Sequence, residues 1–181
     1  MSPILASKAI VCGVGVGLSG ILVSLLVNIN VLSAQAQTNQ RTRTTTAPVL
    51  IDATMPDKIL EIAKGFGPAS LDKDYVGDPR ITGRIDGQKY TILFYGCVNG
   101  KDCDDIVFYT YWTGGRNVTL DKINEWNRNT KFGKAYLDTD GDIALEMTVN
   151  IDYGVSTSNL EDNFSWWNKT VQSVVQDILT E

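Results

Sequence analysis

Residues 143–151 read Ile143-Ala144-Leu145-Glu146-Met147-Thr148-Val149-Asn150-Ile151, with a large apolar side chain at every second position. Successive side chains of a strand point to opposite faces, so this stretch predicts a strand with one face in a core and the other polar. Upstream, Lys134 to Asp138 forms a shorter strand-like run, and Asp140-Gly141 supplies the turn between the two, with glycine taking positive φ. A two-residue turn there would set Glu146 opposite Ala135, beside Leu137 and near Lys134 or Arg128. In that place an exposed carboxylate or an ion pair is expected, because catalytic carboxylates need desolvation or a partner that shifts their pKa.

Working outward, Arg80 to Ile85, the pair Asp86-Gly87 and the run Lys89 to Cys97 read as a second hairpin. A turn over Val98 to Asp102 then leads into Asp105 to Trp112, which completes a three-stranded meander. Helical patterns flank these strands. Thr54-Met55-Pro56-Asp57 predicts a start capped by Thr54, followed by Ile59, Leu60, Ile62 and Ala63, with Gly65 as the stop. Thr119 caps a second helix carrying Leu120, Ile123 and Trp126 through Asn127. Ser158-Asn159-Leu160-Glu161 is a capping box ahead of the stripe Leu160, Phe164, Trp167, Val171, Val174, Val175 and Ile178. The order is αβββαββα, an α+β fold with an antiparallel sheet and its helices mainly on one face.

The meander strands are apolar on both sides. Tyr90, Ile92 and Phe94 oppose Leu93 and Tyr95, while Ile106, Phe108 and Trp112 oppose Val107, Tyr109 and Tyr111. Three helices in so small a domain cover one face, so the other is expected to be an association surface. Tyr95, Tyr109 and Tyr111 are the candidate interaction residues. Trp166 joins them because it falls well off the centre of the last helical stripe. A homodimer or a client protein is the expected occupant.

The chain has 181 residues, 16 basic and 21 acidic, for a net charge of −5, and no histidine. Without histidine, Ser/His/Asp and Cys/His nucleophile pairs and imidazole metal sites are excluded. The acidic balance argues against nucleic acid, whose phosphates are held by clustered Lys and Arg. Charge is unevenly spread. Residues 1–36 contain Lys8 alone, followed by the apolar run Ala9 to Val27 and the small-x-small triplet Ala34-Gln35-Ala36. That is the pattern of an export signal cut after Ala36, with an uncleaved membrane anchor as the alternative. In either case the remainder faces the periplasm or the outside, and a membrane partner follows only if the segment is retained. Residues 37–48 are Thr-rich without apolar periodicity and read as a disordered tether. The folded domain is 49–181.

After removal of Cys12 with the signal, Cys97 and Cys103 remain, bracketing a predicted turn. In an oxidising compartment a disulfide is the simplest expectation, worth about 2.4 kcal/mol for so short a loop. A redox pair is disfavoured, since the spacing is not Cys-x-x-Cys and Lys101 is the only basic neighbour. Asp138-Thr139-Asp140-Gly141-Asp142 places glycine fourth and Val149 twelfth, which departs from a calcium loop and suits a turn. Asn117-Val118-Thr119, Asn163-Phe164-Ser165 and Asn168-Lys169-Thr170 match glycosylation sequons, two of them inside the predicted last helix. Glu125, Asp138 and Glu146 form no pair with a second catalytic group, and no glycine-rich phosphate loop follows a strand. No catalytic residue, metal site or cofactor is expected.

Ile123-Asn124-Glu125-Trp126-Asn127, then Lys131-Phe132-Gly133-Lys134-Ala135-Tyr136-Leu137-Asp138, Asp140-Gly141-Asp142, Leu145-Glu146-Met147 and Gly154-Val155 together resemble the YbjN domain family, whose members are described as bacterial sensory transduction regulators. The resemblance extends more loosely from about Ile59 to Ile178. It implies a fold like that of type III secretion chaperones and a non-enzymatic regulatory or chaperone-like role, with no catalytic residues to carry over. An exported protein-binding accessory factor is therefore the expectation, and a periplasmic small-ligand-binding module the alternative. A deep apolar pocket with convergent polar groups would favour the ligand, and a broad aromatic face the protein partner.

Overall fold

A computed structural model of the protein describes residues 49–180. The expected signal segment, 1–36, and the tether, 37–48, lie outside the described residues. The elements in order are β1 (Leu50–Ile51), α1 (Pro56–Phe66), β2 (Ala69–Lys73), β3 (Pro79–Ile85), β4 (Gln88–Tyr95), β5 (Asp105–Trp112), α2 (Leu120–Asn129), β6 (Lys134–Leu137), β7 (Ile143–Asn150), β8 (Val155–Ser156) and α3 (Thr157–Val174), which continues into a π-helical turn over Val175–Leu179. Six strands form one antiparallel sheet in the order β2-β3-β4-β5-β7-β6, and β1 and β8 pair separately. The fold is α+β, with every expected strand and helix present.

The alternation read in the sequence decides which face is buried. Ile81, Tyr90, Ile92, Phe94, Ile106, Phe108, Leu145 and Met147 face inward, and onto them pack Ile59 and Ala63 of α1, Ile123 and Trp126 of α2, and Leu160, Phe164, Trp167, Val171 and Val174 of α3. Phe108 sits at the centre, with Phe164 edge-on at 4.9 Å and Trp167 at 5.6 Å. All three helices thus cover one face, called inner here. Gly83 is required on that face because its cross-strand partner is Tyr90, whose ring would stand 2.7 Å from any Cβ placed there.

Several boundaries differ from those the sequence predicts. α1 is capped at Met55 with Pro56 opening the helix, because the Thr54 hydroxyl instead donates to Asp52, whose carboxylate also accepts the Thr54 amide. Gly65 lies inside α1, which runs to Phe66 and ends at Gly67. α3 starts two residues before the predicted capping box, with the Ser156 hydroxyl accepting the Asn159 amide. Thr119 does cap α2, accepting the Lys122 amide at 3.2 Å. Leu120 and Val175, assigned to buried stripes, are exposed at the ends of theirs. The structure adds β2 as an edge strand and the two-residue pair β1–β8.

At the far edge, β6 is tied to α2 through Asn127. Its side-chain amide donates to the Ala135 carbonyl at 2.9 Å and its side-chain oxygen accepts the Ala135 amide at 3.0 Å. One side chain therefore fills the two bonding positions that an additional strand would use, which blunts the edge. Between β4 and β5, Asn99 and Gly100 both take positive φ in the turn closed by Val98 and Lys101, and the Cys97 and Cys103 sulfurs lie 2.08 Å apart as a disulfide.

Candidate functional site

Among the described residues no helix covers the outer face of the sheet, and the register sets its side chains in rows. Arg80 of β3, Leu93 of β4, Val107 of β5 and Thr148 of β7 form one row. Thr82, Thr91, Tyr109, Glu146 and Lys134 form the next. In the row beyond, Arg84 stands beside Lys89, and Tyr111, Ala144 and Tyr136 lie side by side on β5, β7 and β6. Tyr95 is opposite Asp105 at the other end. Tyr95 and Tyr111 are 51% and 53% exposed, while Ala144 is fully buried. Its cover comes from its own face, where its direct cross-strand partners are Tyr111 and Tyr136.

The hairpin turn sets this geometry. Leu137 pairs with Ile143, and Asp138 with Asp142, so the loop is the three residues Thr139-Asp140-Gly141 with Gly141 at φ 80°, one residue longer than the two-residue turn expected. A type I turn followed by a left-handed glycine is the standard three-residue solution. Asp138 supports it by accepting the Asp140 and Asp142 amides, which is turn chemistry. The extra residue slides β6 by one, so that Glu146 faces Lys134 and Ala135 faces Leu145. Glu146 and Lys134 form an ion pair, and the Lys134 ammonium also stands 5.0 Å from the Tyr136 ring centre.

The Tyr109 and Tyr111 rings lie 6.2 Å apart. Partial burial, followed by the charges of neighbouring groups that include Glu146 and Asp138, holds the Tyr109 and Tyr136 phenols above their ordinary pKa. The patch is therefore aromatic and partly desolvated.

Of the four candidate residues, the structure brings Tyr95, Tyr109 and Tyr111 onto this one face. Trp166 belongs to α3 in the helical layer on the other side, where its ring packs at a tilt against Phe132, centroids 4.7 Å apart, beneath the Lys169 ammonium. Tyr136 and the pair Lys134–Glu146 belong to the outer face and were not among the candidates. Alternation within Lys134 to Leu137 was the available signal for Tyr136, and it needed the correct register.

Elsewhere, grooves are open. One of about 650 Å³ runs between α1, β1 and the start of α3, where Lys58 and Glu61 already pair with each other at 3.0 Å. Another, of about 530 Å³, lies between the β3–β4 turn and α3, where Asp86 accepts the side-chain amides of Asn168 and Gln172. Among the described residues, no group of three or more Cys, Asp or Glu is gathered to hold a metal ion.

Residues 56–179 match the model of the YbjN family, described as "Putative bacterial sensory transduction regulator". No curated protein matches the chain. Among solved structures, the Yersinia pestis type III secretion chaperone SycH, crystallised with a stable fragment of YscM2, is similar over 66% of this chain and 98% of that one, at 17% identity and a TM-score of 0.43.

Proposed function

Because this chain belongs to the YbjN family, we propose that it is an exported, non-catalytic regulatory protein that acts by binding another protein through the outer face of its sheet. The family's description is regulatory. The observation that carries the reading is the distribution of the sheet's two apolar faces. Three helices bury one, and on the other Tyr95 and Tyr111 are exposed and Leu93, Tyr109 and Tyr136 half-buried around a buried Val107, with no covering element among the described residues. Aromatic-rich exposed patches of this kind are typical of interfaces, where tyrosine supplies contact area at low entropic cost.

The second reading, a periplasmic small-ligand-binding module, rests on the groove beside α1. That groove is open and its charged groups satisfy each other, so it offers few free polar groups to orient a ligand.

Site-specific photocrosslinking separates the two. With a benzophenone amino acid at Tyr111 in the producing cell, we expect a covalent protein adduct that is absent when the probe sits at exposed Gln176 on the C-terminal turn. Equal or absent adducts at both positions would overturn the reading.

A further inference from the structure

Resting on the reading that the outer face binds protein, we infer that its occupant is a second copy of this chain, packed face to face about a two-fold axis that runs along the strands between β4 and β5. The argument is one of self-complementarity. A two-fold contact is isologous, so whatever one half of the face presents, the other half must accept. The middle of the order β2-β3-β4-β5-β7-β6 falls between β4 and β5. A rotation about an in-plane axis there keeps every row in its row and exchanges β4 with β5, β3 with β7 and β2 with β6.

The two halves match under that exchange. In the first row, Leu93 of each copy comes over Val107 of the other, apolar on apolar at the centre. In the second, Thr91 comes over Tyr109. In the third, Arg84 comes over Ala144, the small residue between Tyr111 and Tyr136, with Glu146 one row away, and Lys89 comes over Tyr111. An arginine fork placed among aromatic rings beside a carboxylate gains both cation–π and charge-assisted contacts. Arg84, whose guanidinium donates to the Gly87 carbonyl, and Lys89 stand exposed on the β3–β4 half, while the β7–β6 half carries Glu146 with Lys134 paired to it. Arg80, the other cation of β3, is neutralised by a two-pronged bond to Asp72.

The contact between Lys134 and Glu146, with the ammonium against the Tyr136 ring, supplies an independent observation that this spot accepts a cation. Lys134 is 63% exposed, so displacing it from Glu146 breaks only a solvent-exposed pair. The area is sufficient. Six strands about 4.8 Å apart and rows extending about 22 Å give roughly 600 Å² per copy, about 1,200 Å² in all, at the lower bound of standard interfaces. Twist turns aligned sheets by about 30°, which leaves the central rows in register and loosens the corners.

Sedimentation equilibrium of residues 37–181 tests this with three variants. The wild type should associate, and Arg84→Glu and Leu93→Arg should each weaken association at least about tenfold, since like charges or a buried cation at an interface are costly. Glu146→Arg should do the same, and combining it with Arg84→Glu should recover association to within about threefold of wild type by restoring opposite charges. Melting curves confirm that each variant folds, and Leu93→Arg carries the test if Glu146→Arg does not. A wild type monomeric at all concentrations, a dimer indifferent to Arg84→Glu and Leu93→Arg, or folded swap variants that stay apart would overturn the inference. A monomer that still forms a protein adduct at Tyr111 would leave the protein-binding reading standing and place a different protein on the face.

Discussion

Tyr90 is 1% exposed, its ring lies on Gly83, and its hydroxyl finds no hydrogen-bond partner among the described residues. Burial pushes its pKa up to about 12 from the ordinary 10. Below pH 10 both folded and unfolded chains keep the phenol proton, so the contribution is constant. Between pH 10 and 12 the unfolded chain releases the proton and the folded one does not, so stability falls as pH rises. The loss levels off above the folded pKa at on the order of 3 kcal/mol. Tyr109 and Tyr136, with phenols shifted in the same direction, lose stability over the same alkaline range. Tyr90→Phe removes an unpaired buried hydroxyl and should raise stability near neutral pH by about 1 kcal/mol. It should also flatten the alkaline loss. Urea unfolding of both proteins at pH 8 and pH 11 measures the two effects, and a steeper pH dependence in the variant would refute the assignment.

At the level of elements, the sheet edge at β6 depends on Asn127. Asn127→Ala removes two bonds to Ala135 and should cost about 2 kcal/mol. Hydrogen exchange should speed up at β6 amides and leave the β3–β4 hairpin protected, whereas uniform change would show that the edge is held by something else. Elements with strong local patterns were legible in the sequence. Ile143 to Asn150 alternates cleanly, and Asp86-Gly87 takes the left-handed pair of conformations that a two-residue hairpin demands. β2 was not legible, because Ala-Ser-Leu-Asp-Lys holds no β-branched or aromatic residue and owes its conformation to pairing with β3. β1 and β8 are two residues each and carry no periodicity at all. The candidate face was half legible. Alternation put Tyr95, Tyr109 and Tyr111 together, but the meeting of Lys134, Tyr136 and Glu146 depends on one extra loop residue between Asp138 and Asp142. Trp166 looked like part of the same surface because helical angle alone does not say on which side of a sheet a helix will pack.

For the whole molecule, the N-terminal composition makes a prediction independent of the face. Intact-mass measurement of protein from the cell envelope should find a chain that begins at Gln37, and full-length protein in the soluble cytoplasm would refute export. The topology bears on how such a chain is made. β5 is bonded along one side to β4, its neighbour in sequence, and along the other to β7, with α2 and β6 emerging in between. A ribosome therefore releases β2 to β5 as a meander whose last strand has Ile106 and Phe108 beside an empty margin, and β6 cannot fill that margin because its own partner is β7. Until Ile143–Asn150 is synthesised, that margin is the stretch most prone to capture by another nascent chain. The stretch between β5 and β7, residues 113–142, therefore sets how long that margin stays open as the chain emerges.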